Sequence, residues 1–171
     1  MPKIPTEIIY MQVAYQFAKL SYAERRKVGC VIVKDKQVIS FGYNGTPHGF
    51  ENECEDIETM HYDNPAGAEM LEDMGWTMPH DNSCTCYRSI TKREVLHAES
   101  NAIMKVAKST MSCEGADLYT TTCPCFDCAK LIIQAGIKKV YYTEDYRDMS
   151  GVELLKRAEI EVEQVITWNE H

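Results

Sequence analysis

The sequence predicts an α/β fold in which helices cover both faces of a partly parallel sheet. In the C-terminal half, short apolar runs rich in β-branched residues alternate with helical patterns, which is typical of βαβ crossovers. Near the N-terminus, two strand patterns follow each other across a polar turn and indicate an antiparallel hairpin. The chain has 171 residues, which corresponds to one domain at about 150 residues per domain. We therefore expect a single domain over residues 1–171, built around a mixed sheet.

The first element is a helical pattern over residues 6–20. Ile9, Val13 and Phe17 recur at helical spacing and predict one buried face. Thr6 is of the residue type that is preferred at a helix N-cap. We expect this helix to pack its apolar face against the sheet.

The later elements follow in alternation, and their ends carry recognisable signals. Pro124 and Gly136 stand at the two ends of one helical pattern, as is usual for these residue types. Ser150 and Glu153 have the spacing of a capping box. Strands are predicted at residues 28–33, 37–43, 116–121, 139–143 and 161–166, and the remaining helices at residues 95–108, 124–135 and 150–158.

The segment 51–94 interrupts this alternation. It has no sustained hydrophobic period and is rich in Gly, Pro, Asn and Asp. Stretches of this length without secondary structure are uncommon in compact domains and are often functional. We expect an irregular insertion with a helix near residues 66–74.

Charge and hydropathy exclude several classes of partner. The net charge is −8, and without a basic tract such a chain is poorly suited to neutralise a phosphate backbone, so nucleic acid is not an expected partner. No apolar run reaches the ~18 residues of a membrane span. The N-terminus lacks the apolar core of a signal peptide, so we expect a cytoplasmic location. In a reducing compartment, clustered members of the eight cysteines are expected to bind metal or react rather than form disulfides, and only a subset need be functional.

Two short motifs indicate a metal site: His97-x-Glu99 and Pro124-Cys125-x-x-Cys128. In a chain of this composition, chance gives about 0.5 copies of His-x-Glu but only about 0.01 copies of Pro-Cys-x-x-Cys. The first motif alone therefore means little. The two together, each at a predicted helix start, are a strong signal.

The motifs have the chemistry of a catalytic zinc site. Cys125 and Cys128 share one face of a first helical turn, where the helix N-terminus favours the thiolate form. His97 would be a third ligand, which leaves a fourth position open for water. Glu99 would face that open position without binding the ion. It would take a proton from the water and return it to the substrate.

These residues resemble the zinc-dependent cytidine/deoxycytidylate deaminase superfamily, whose signature contains both motifs. Further segments are similar to deoxycytidylate (dCMP) deaminases in particular. The resemblance extends over about residues 6–50 and 95–166. The segments that carry it are Gly-Tyr-Asn-Gly-Thr-Pro-His-Gly at 42–49, the basic approach and first strand at 25–33, and residues 97–103 and 129–138.

The resemblance implies a three-layer α/β/α fold around a five-stranded sheet and hydrolytic deamination of dCMP to dUMP and ammonia. His97, Cys125 and Cys128 match the zinc ligands of the family. Glu99 matches its proton shuttle, and Asn44 matches an asparagine that binds the sugar of the nucleotide. The family also implies a homohexamer that is activated by dCTP and inhibited by dTTP. Mg²⁺ is expected to accompany either triphosphate as a counter-ion of its phosphates.

Three further residues are candidates for substrate binding. Arg25 and Arg26, together with Lys27, form the densest positive cluster of an acidic chain. They would suit the phosphate of a nucleotide, although a charge run is by default a solvated surface. Tyr146 could pack on the sugar or bind the phosphate. Asn44, between two glycines, could instead only shape a turn.

A closed structural zinc site is the main alternative. Cys123 together with the three candidate ligands would complete a Cys₃His tetrahedron without an open position. However, Pro124 disfavours a helical conformation at Cys123, and a closed site would leave Glu99 without a role.

A second metal site is left open. Some relatives hold a structural zinc with two cysteines and a histidine, but two of the matching positions here are Ala23 and Tyr87. Cys54 fits the third position. Other residues that could hold a metal in this region are Cys84, Cys86, His61 and His80.

Two other functions remain possible at this point. One is deamination of a different cytosine or purine substrate. The other is a non-catalytic zinc protein that senses nucleotides. The presence of Glu99, which has no evident structural duty, argues against the second.

Overall fold

The computed structural model describes residues 4–62, 68–78, 84–146 and 148–166. Five helices and seven strands occur in these ranges. The helices are α1 (Thr6–Ala18), α2 (Ala68–Asp73), α3 (Ala98–Ala107), α4 (Phe126–Gln134) and α5 (Ser150–Arg157). The strands are β1 (Gly29–Lys34), β2 (Gln37–Tyr43), β3 (Glu55–His61), β4 (Thr85–Thr91), β5 (Asp117–Thr122), β6 (Lys139–Glu144) and β7 (Glu161–Gln164).

The main sheet has five strands in the order β2-β1-β5-β6-β7. β1 pairs antiparallel with β2 and with β5. β5, β6 and β7 are parallel to one another and are joined through α4 and α5. The predicted mixed sheet and its βαβ crossovers are therefore confirmed.

Helices cover both faces of the sheet because its central strands are buried on both sides. Cys30 and Ile32 of β1 face the large core beneath α3, α4 and α5. Val31 and Val33 point to the opposite face and pack with residues of α1. This alternation along a strand produces the predicted three-layer arrangement.

The buried face of α1 overlaps only partly with the predicted one, since Val13 and Phe17 are half-buried against the core. Met11, Ala14 and Ala18 are its buried residues, whereas Ile9 is 39% exposed. Small side chains allow the helix to approach β1 closely, and a Cβ atom on Gly29 would overlap the carbonyl oxygen of Ala14. The close approach of the helix backbone to Gly29 therefore helps to decide which residues of α1 are fully buried.

Two predicted helix starts differ in detail. Pro5, not Thr6, is the N-cap of α1, and it makes no side-chain cap hydrogen bond. At α5 the expected capping box is absent. The amide of Ser150 donates to the carboxylate of Asp148 at 2.9 Å, so the carboxylate next to the helix serves the free amide instead.

The insertion is more ordered than the sequence suggested. β3 and β4 form a separate two-stranded antiparallel sheet, and Trp76 is buried beneath the guanidinium of Arg88, 4.6 Å from the ring centroid. The expectation of irregular structure was wrong because β3 carries acidic residues and none of its residues is fully buried, so no apolar alternation marks it. The helix expected near residues 66–74 is confirmed as α2 in its described part.

None of the helices in the described ranges is long and apolar enough to cross a membrane.

Candidate metal and nucleotide site

Three candidate ligands meet where two helices begin. His97 is the N-cap of α3, and Cys125 is the N-cap of α4. The His97 Nδ1 atom lies 3.3 Å from the Cys125 Sγ atom and 3.4 Å from the Cys128 Sγ atom. All three ligand atoms lie within 4.8 Å of one another. Among the described residues, no other group of His, Cys, Asp or Glu side chains has such a geometry.

Close packing against β2 fixes the start of α3. A Cβ atom on Gly42 would overlap the carbonyl oxygen of Ala98, the first residue of the helix. Just before it, Leu96 exchanges two backbone hydrogen bonds with Gly45, at 2.9 and 3.1 Å. Asn101 donates to the carbonyl oxygen of Tyr43 at 2.9 Å. His97 is therefore anchored to the end of β2 on both sides.

The start of α4 is held by α5. A Cβ atom on Gly151 would overlap the carbonyl oxygen of Pro124. The β5 strand ends at Thr122 and leads directly into this loop. Cys125 and Cys128 thus lie at the carboxyl end of a parallel strand, which is a frequent place for ligand sites in α/β sheets.

The donor set suits zinc. A hydrogen bond with Cys128 is the largest of the effects that lower the pKa of Cys125 to about 4, and a hydrogen bond with His97 adds to it. The hydrogen bond with Cys125 in turn raises the pKa of His97. One thiolate and one imidazole are thus drawn together, and a divalent cation among them would take the place of the shared protons. Two sulfur atoms and one nitrogen leave one position of a tetrahedron for another ligand.

Glu99 stands beside these residues in the first turn of α3. Only 4% of the residue is exposed, and its Oε2 atom lies 3.6 Å from the Cys128 Sγ atom. Burial raises the pKa of this carboxyl. A buried acid with a raised pKa is suited to hold and release a proton during a reaction.

A cavity of about 320 Å³ opens above the cluster. It is lined by all four substrate-binding residues that the sequence suggested, and also by His97 and Cys125 of the ligand cluster. Its lining includes Arg25, Arg26, Asn44, Glu55, Thr91, His97, Glu99, Thr122, Cys123, Cys125 and Tyr146.

Asn44 has a structural task as well as a place in the cavity. Its side-chain amide donates to the carbonyl oxygen of Arg26 at 2.9 Å, and its Oδ1 atom accepts from the amide of Val28 at 2.8 Å. The Ser21 hydroxyl donates to the backbone carbonyl oxygen of Asn44 at 2.7 Å. Asn44 therefore fixes the basic segment that precedes β1, which the sequence did not reveal.

Arg26 and Tyr146 come together across the cavity. The guanidinium carbon of Arg26 lies 5.9 Å from the ring centroid of Tyr146. This distance is within the range of a cation–π contact. The two residues are 120 positions apart in sequence, so only the fold brings them together.

Sequence reasoning missed two cavity residues that come from the insertion. Glu55 opens β3, and Thr91 ends β4 directly opposite it. The carboxylate of Glu55 accepts hydrogen bonds from the amides of Glu24 and Arg25. Because nothing in the sequence of 51–94 resembles a known motif, no local signal indicated these residues.

Cys123 is not part of the ligand cluster. Its Sγ atom accepts from the amide of Tyr146 at 3.1 Å and lies 3.6 Å from the Met149 Sδ atom. This side chain packs in a small apolar cluster with Tyr142 and Val152. The geometry does not support a closed Cys₃His site.

The structure also does not assemble a second metal site from the described residues. Cys54 is buried with Ala23 and Val95 in an apolar cluster. Cys86 donates from its thiol to the carbonyl oxygen of Met60, and Cys84 is exposed. His61 lies on β3 outside any metal-binding group. His80 lies outside the described residues.

Comparisons with known proteins agree with this geometry. The family model for the cytidine and deoxycytidylate deaminase zinc-binding region matches residues 6–144. ComE operon protein 2 of Bacillus subtilis strain 168 is 37% identical over 166 residues, which cover 96% of this chain and 74% of that protein. Deoxycytidylate deaminase of Enterobacteria phage T4 is 33% identical over 179 residues, or 89% of this chain and 86% of that protein.

A solved structure extends the likeness to three dimensions. The dCMP deaminase of cyanophage S-TIM5, in complex with dCMP and dUMP, superposes with a TM-score of 0.72 at 36% identity. The match covers 96% of this chain and all of that one. The family match spans the main sheet as far as β6 and includes every residue of the ligand cluster. The chain therefore belongs to the cytidine and deoxycytidylate deaminase zinc-binding family.

Proposed function

We propose that the protein removes the 4-amino group of dCMP by hydrolysis, which yields dUMP and ammonia. One observation carries the proposal: two members of the ligand cluster, His97 and Cys125, and the buried Glu99 line one cavity together with two arginines. The cluster could hold a metal ion that activates water, which is the nucleophile needed to attack a cytosine ring. The arginines suit the phosphate of a nucleotide.

His97, Cys125 and Cys128 would hold the zinc ion. When bound, zinc supplies a water molecule that is activated as a nucleophile near neutral pH. Together these three side chains would fix the position of the ion beside the cavity, which His97 and Cys125 line. Their attachment to the starts of α3 and α4 gives the site a rigid support.

Glu99 would carry the protons of the reaction. Water loses a proton as it attacks C4 of the ring, N3 must gain a proton, and the leaving amine needs one more. A carboxylate next to the metal can accept the first proton and deliver it to N3. It can then take the proton of the new hydroxyl group at C4 and pass it to the amine, so that the C4=O bond forms as the C4–N bond breaks and ammonia leaves.

Arg25 and Arg26 would bind the 5′-phosphate, and Tyr146 would pack near the sugar. Asn44 would contribute to sugar binding from the same wall, while its present hydrogen bonds hold the arginine segment in place. The expected discrimination is for a nucleotide over a nucleoside or a free base, because those lack the phosphate that the arginines would recognise.

Family resemblance supports a regulatory extension of the proposal. The protein would form a homohexamer that is activated by dCTP and inhibited by dTTP, with Mg²⁺ as the counter-ion of either triphosphate. A cytoplasmic location stays a prediction.

The direct test is ammonia release from a panel of substrates. Zinc-loaded protein is incubated with dCMP, dCTP, cytidine and cytosine, and Glu99→Gln protein serves as the inactive control. We expect dCMP to give the highest kcat/KM. A higher value for any other substrate would reject dCMP as the substrate, and no release from any of them would support a non-catalytic role.

A further inference from the structure

We infer that Glu55, the first residue of the insertion sheet, is a positioning residue for nucleotide binding. It would hold the arginine segment in the conformation that meets the phosphate. The inference rests on the proposed function and adds a role for the insertion, since Glu55 lies outside both deaminase motifs.

The arginine segment needs outside support. Residues 21–28 have no regular secondary structure and connect α1 to β1. Three consecutive cations, Arg25, Arg26 and Lys27, repel one another within this loop. A phosphate site requires their side chains in a fixed place before the ligand arrives, since otherwise binding must also order the loop.

Hydrogen bonds from two side chains, Asn44 and Glu55, fix the arginine segment at its two ends. Asn44 holds its C-terminal part through the Arg26 carbonyl oxygen and the Val28 amide. Glu55 holds its N-terminal part: the Glu24 amide lies 3.2 Å from each of its carboxylate oxygens, and the Arg25 amide lies 3.4 Å from the Oε1 atom. A carboxylate that accepts two successive backbone amides makes charge-assisted hydrogen bonds.

The insertion sheet itself is anchored next to this contact. Cys54, the residue before Glu55, is buried against Ala23, the residue before Glu24. The Cys54 carbonyl oxygen accepts from the Lys92 amide at 2.9 Å and ties the root of β3 to the end of β4. An apolar contact and a carboxylate together thus dock the insertion on the loop.

The direction of the change in dCMP affinity distinguishes a positioning role of Glu55 from a direct effect of its charge on the bound phosphate. Glu55 lines the same cavity as the two arginines. If its charge acted directly on a bound phosphate, removing that charge would strengthen dCMP binding. If it positions the arginines, removing the carboxylate weakens dCMP binding and leaves the metal cluster intact.

The test compares Glu55→Ala and Glu55→Gln with wild type, each loaded with zinc. KM and kcat are measured for dCMP, and kcat/KM is measured for deoxycytidine, which lacks the phosphate. We expect Glu55→Ala to raise KM for dCMP about tenfold, as for the loss of charge-assisted hydrogen bonds. Glu55→Gln, which keeps one acceptor oxygen, should raise it by less. The value of kcat for dCMP and kcat/KM for deoxycytidine should stay within about twofold of wild type.

Asp56→Asn is the matched control, because it removes the same charge from the next residue of β3. The Asp56 Oδ1 atom lies 3.7 Å from the Lys92 Nζ atom, and the residue is exposed. It should leave KM for dCMP unchanged.

Three results would overturn the inference: an unchanged or lowered KM for dCMP in Glu55→Ala, an equal loss on both substrates, or the same rise in KM for Asp56→Asn. If the wild-type protein itself released no ammonia from dCMP, the proposed function would fail instead.

Discussion

Glu99 illustrates how one side chain can be costly to the fold and necessary to the chemistry. Its carboxyl is almost fully buried, and burial raises its pKa. Burying an ionisable group that lacks ion-pair or hydrogen-bond partners lowers the stability of the folded state. Its only described side-chain hydrogen-bond partner is the thiol of Cys128, a proposed zinc ligand. This arrangement is expected of a residue that is kept for proton transfer.

Glu99→Gln tests this role. The amide keeps the shape of the side chain but cannot accept and return a proton. We expect zinc content to stay at the wild-type level, while kcat for dCMP falls at least ~10²-fold, the low end for general acid–base catalysis. Metal analysis and ammonia release on the same sample measure both. Turnover near the wild-type value would reject the role of Glu99.

The ligand set is tested by three single variants. His97→Ala and Cys125→Ala each remove one of three zinc donors, so we expect zinc and activity to be lost together. Cys123→Ala is the matched control, since this cysteine lies on the same loop but outside the cluster. It should keep stoichiometric zinc and turnover. Zinc loss in Cys123→Ala would instead favour a closed Cys₃His site.

At the scale of elements, the site depends on how closely helices approach the sheet. α3 begins at the point where Gly42 leaves room for the backbone of Ala98. The same residue follows Phe41, whose ring stacks on that of Phe17 with centroids 3.9 Å apart. β2 therefore contributes to the position of α1 as well as that of α3. Because His97 lies at the start of α3, its position depends on this packing.

Gly42→Ala should disturb the site from outside it. The added methyl group would collide with the carbonyl oxygen of Ala98 and push α3 away from β2. We expect a loss of about 2 kcal/mol in the free energy of unfolding, typical of an overpacked core, and weaker zinc retention.

Gly45→Ala is the matched control for stability, because a Cβ atom there meets no atom within 4 Å. Urea denaturation and zinc retention against a chelator measure both effects. If Gly42→Ala and Gly45→Ala had equal stability, the close approach of α3 would not be what positions His97.

At the scale of the whole molecule, regulation would require more than one site to communicate. A single subunit of 171 residues with one described cavity near the metal cluster would communicate with other copies through contacts in an assembly. A ligand shifts such an equilibrium only by its difference in affinity for the two states. The proposed hexamer is therefore the basis of the proposed control by dCTP and dTTP.

The regulatory proposal predicts a change in the shape of the kinetic curve. Velocity against dCMP should be sigmoidal without effector and closer to hyperbolic with dCTP and Mg²⁺, while dTTP should restore or deepen the sigmoid. Sedimentation analysis of the same samples measures the oligomeric state. A monomer with hyperbolic kinetics that ignores both triphosphates would remove the regulatory proposal and leave the deamination proposal intact.

Much of this protein was accessible from the sequence alone. The order of the main-sheet elements follows from local periodicity, and His97, Cys125 and Cys128 follow from short spacings within two helix starts. The helix and strand periods and the Cys125–Cys128 spacing are local signals that can be recognised without knowledge of the rest of the chain. His97 and Glu99 become informative only together with that cysteine pair.

The tertiary structure decided the features that depend on distant contacts. The fully buried positions Ala14 and Ala18 of α1 follow the close approach at Gly29, while the predicted residues Val13 and Phe17 are only half-buried beside them. The cation–π contact between Arg26 and Tyr146 joins residues far apart in the chain. Glu55 reaches the cavity only because β3 and β4 pair and dock on the loop before β1. A polar, partly exposed strand has no hydrophobic period, because its exposed positions tolerate polar and apolar side chains alike. Its place is therefore set by the contacts that it makes in the folded protein.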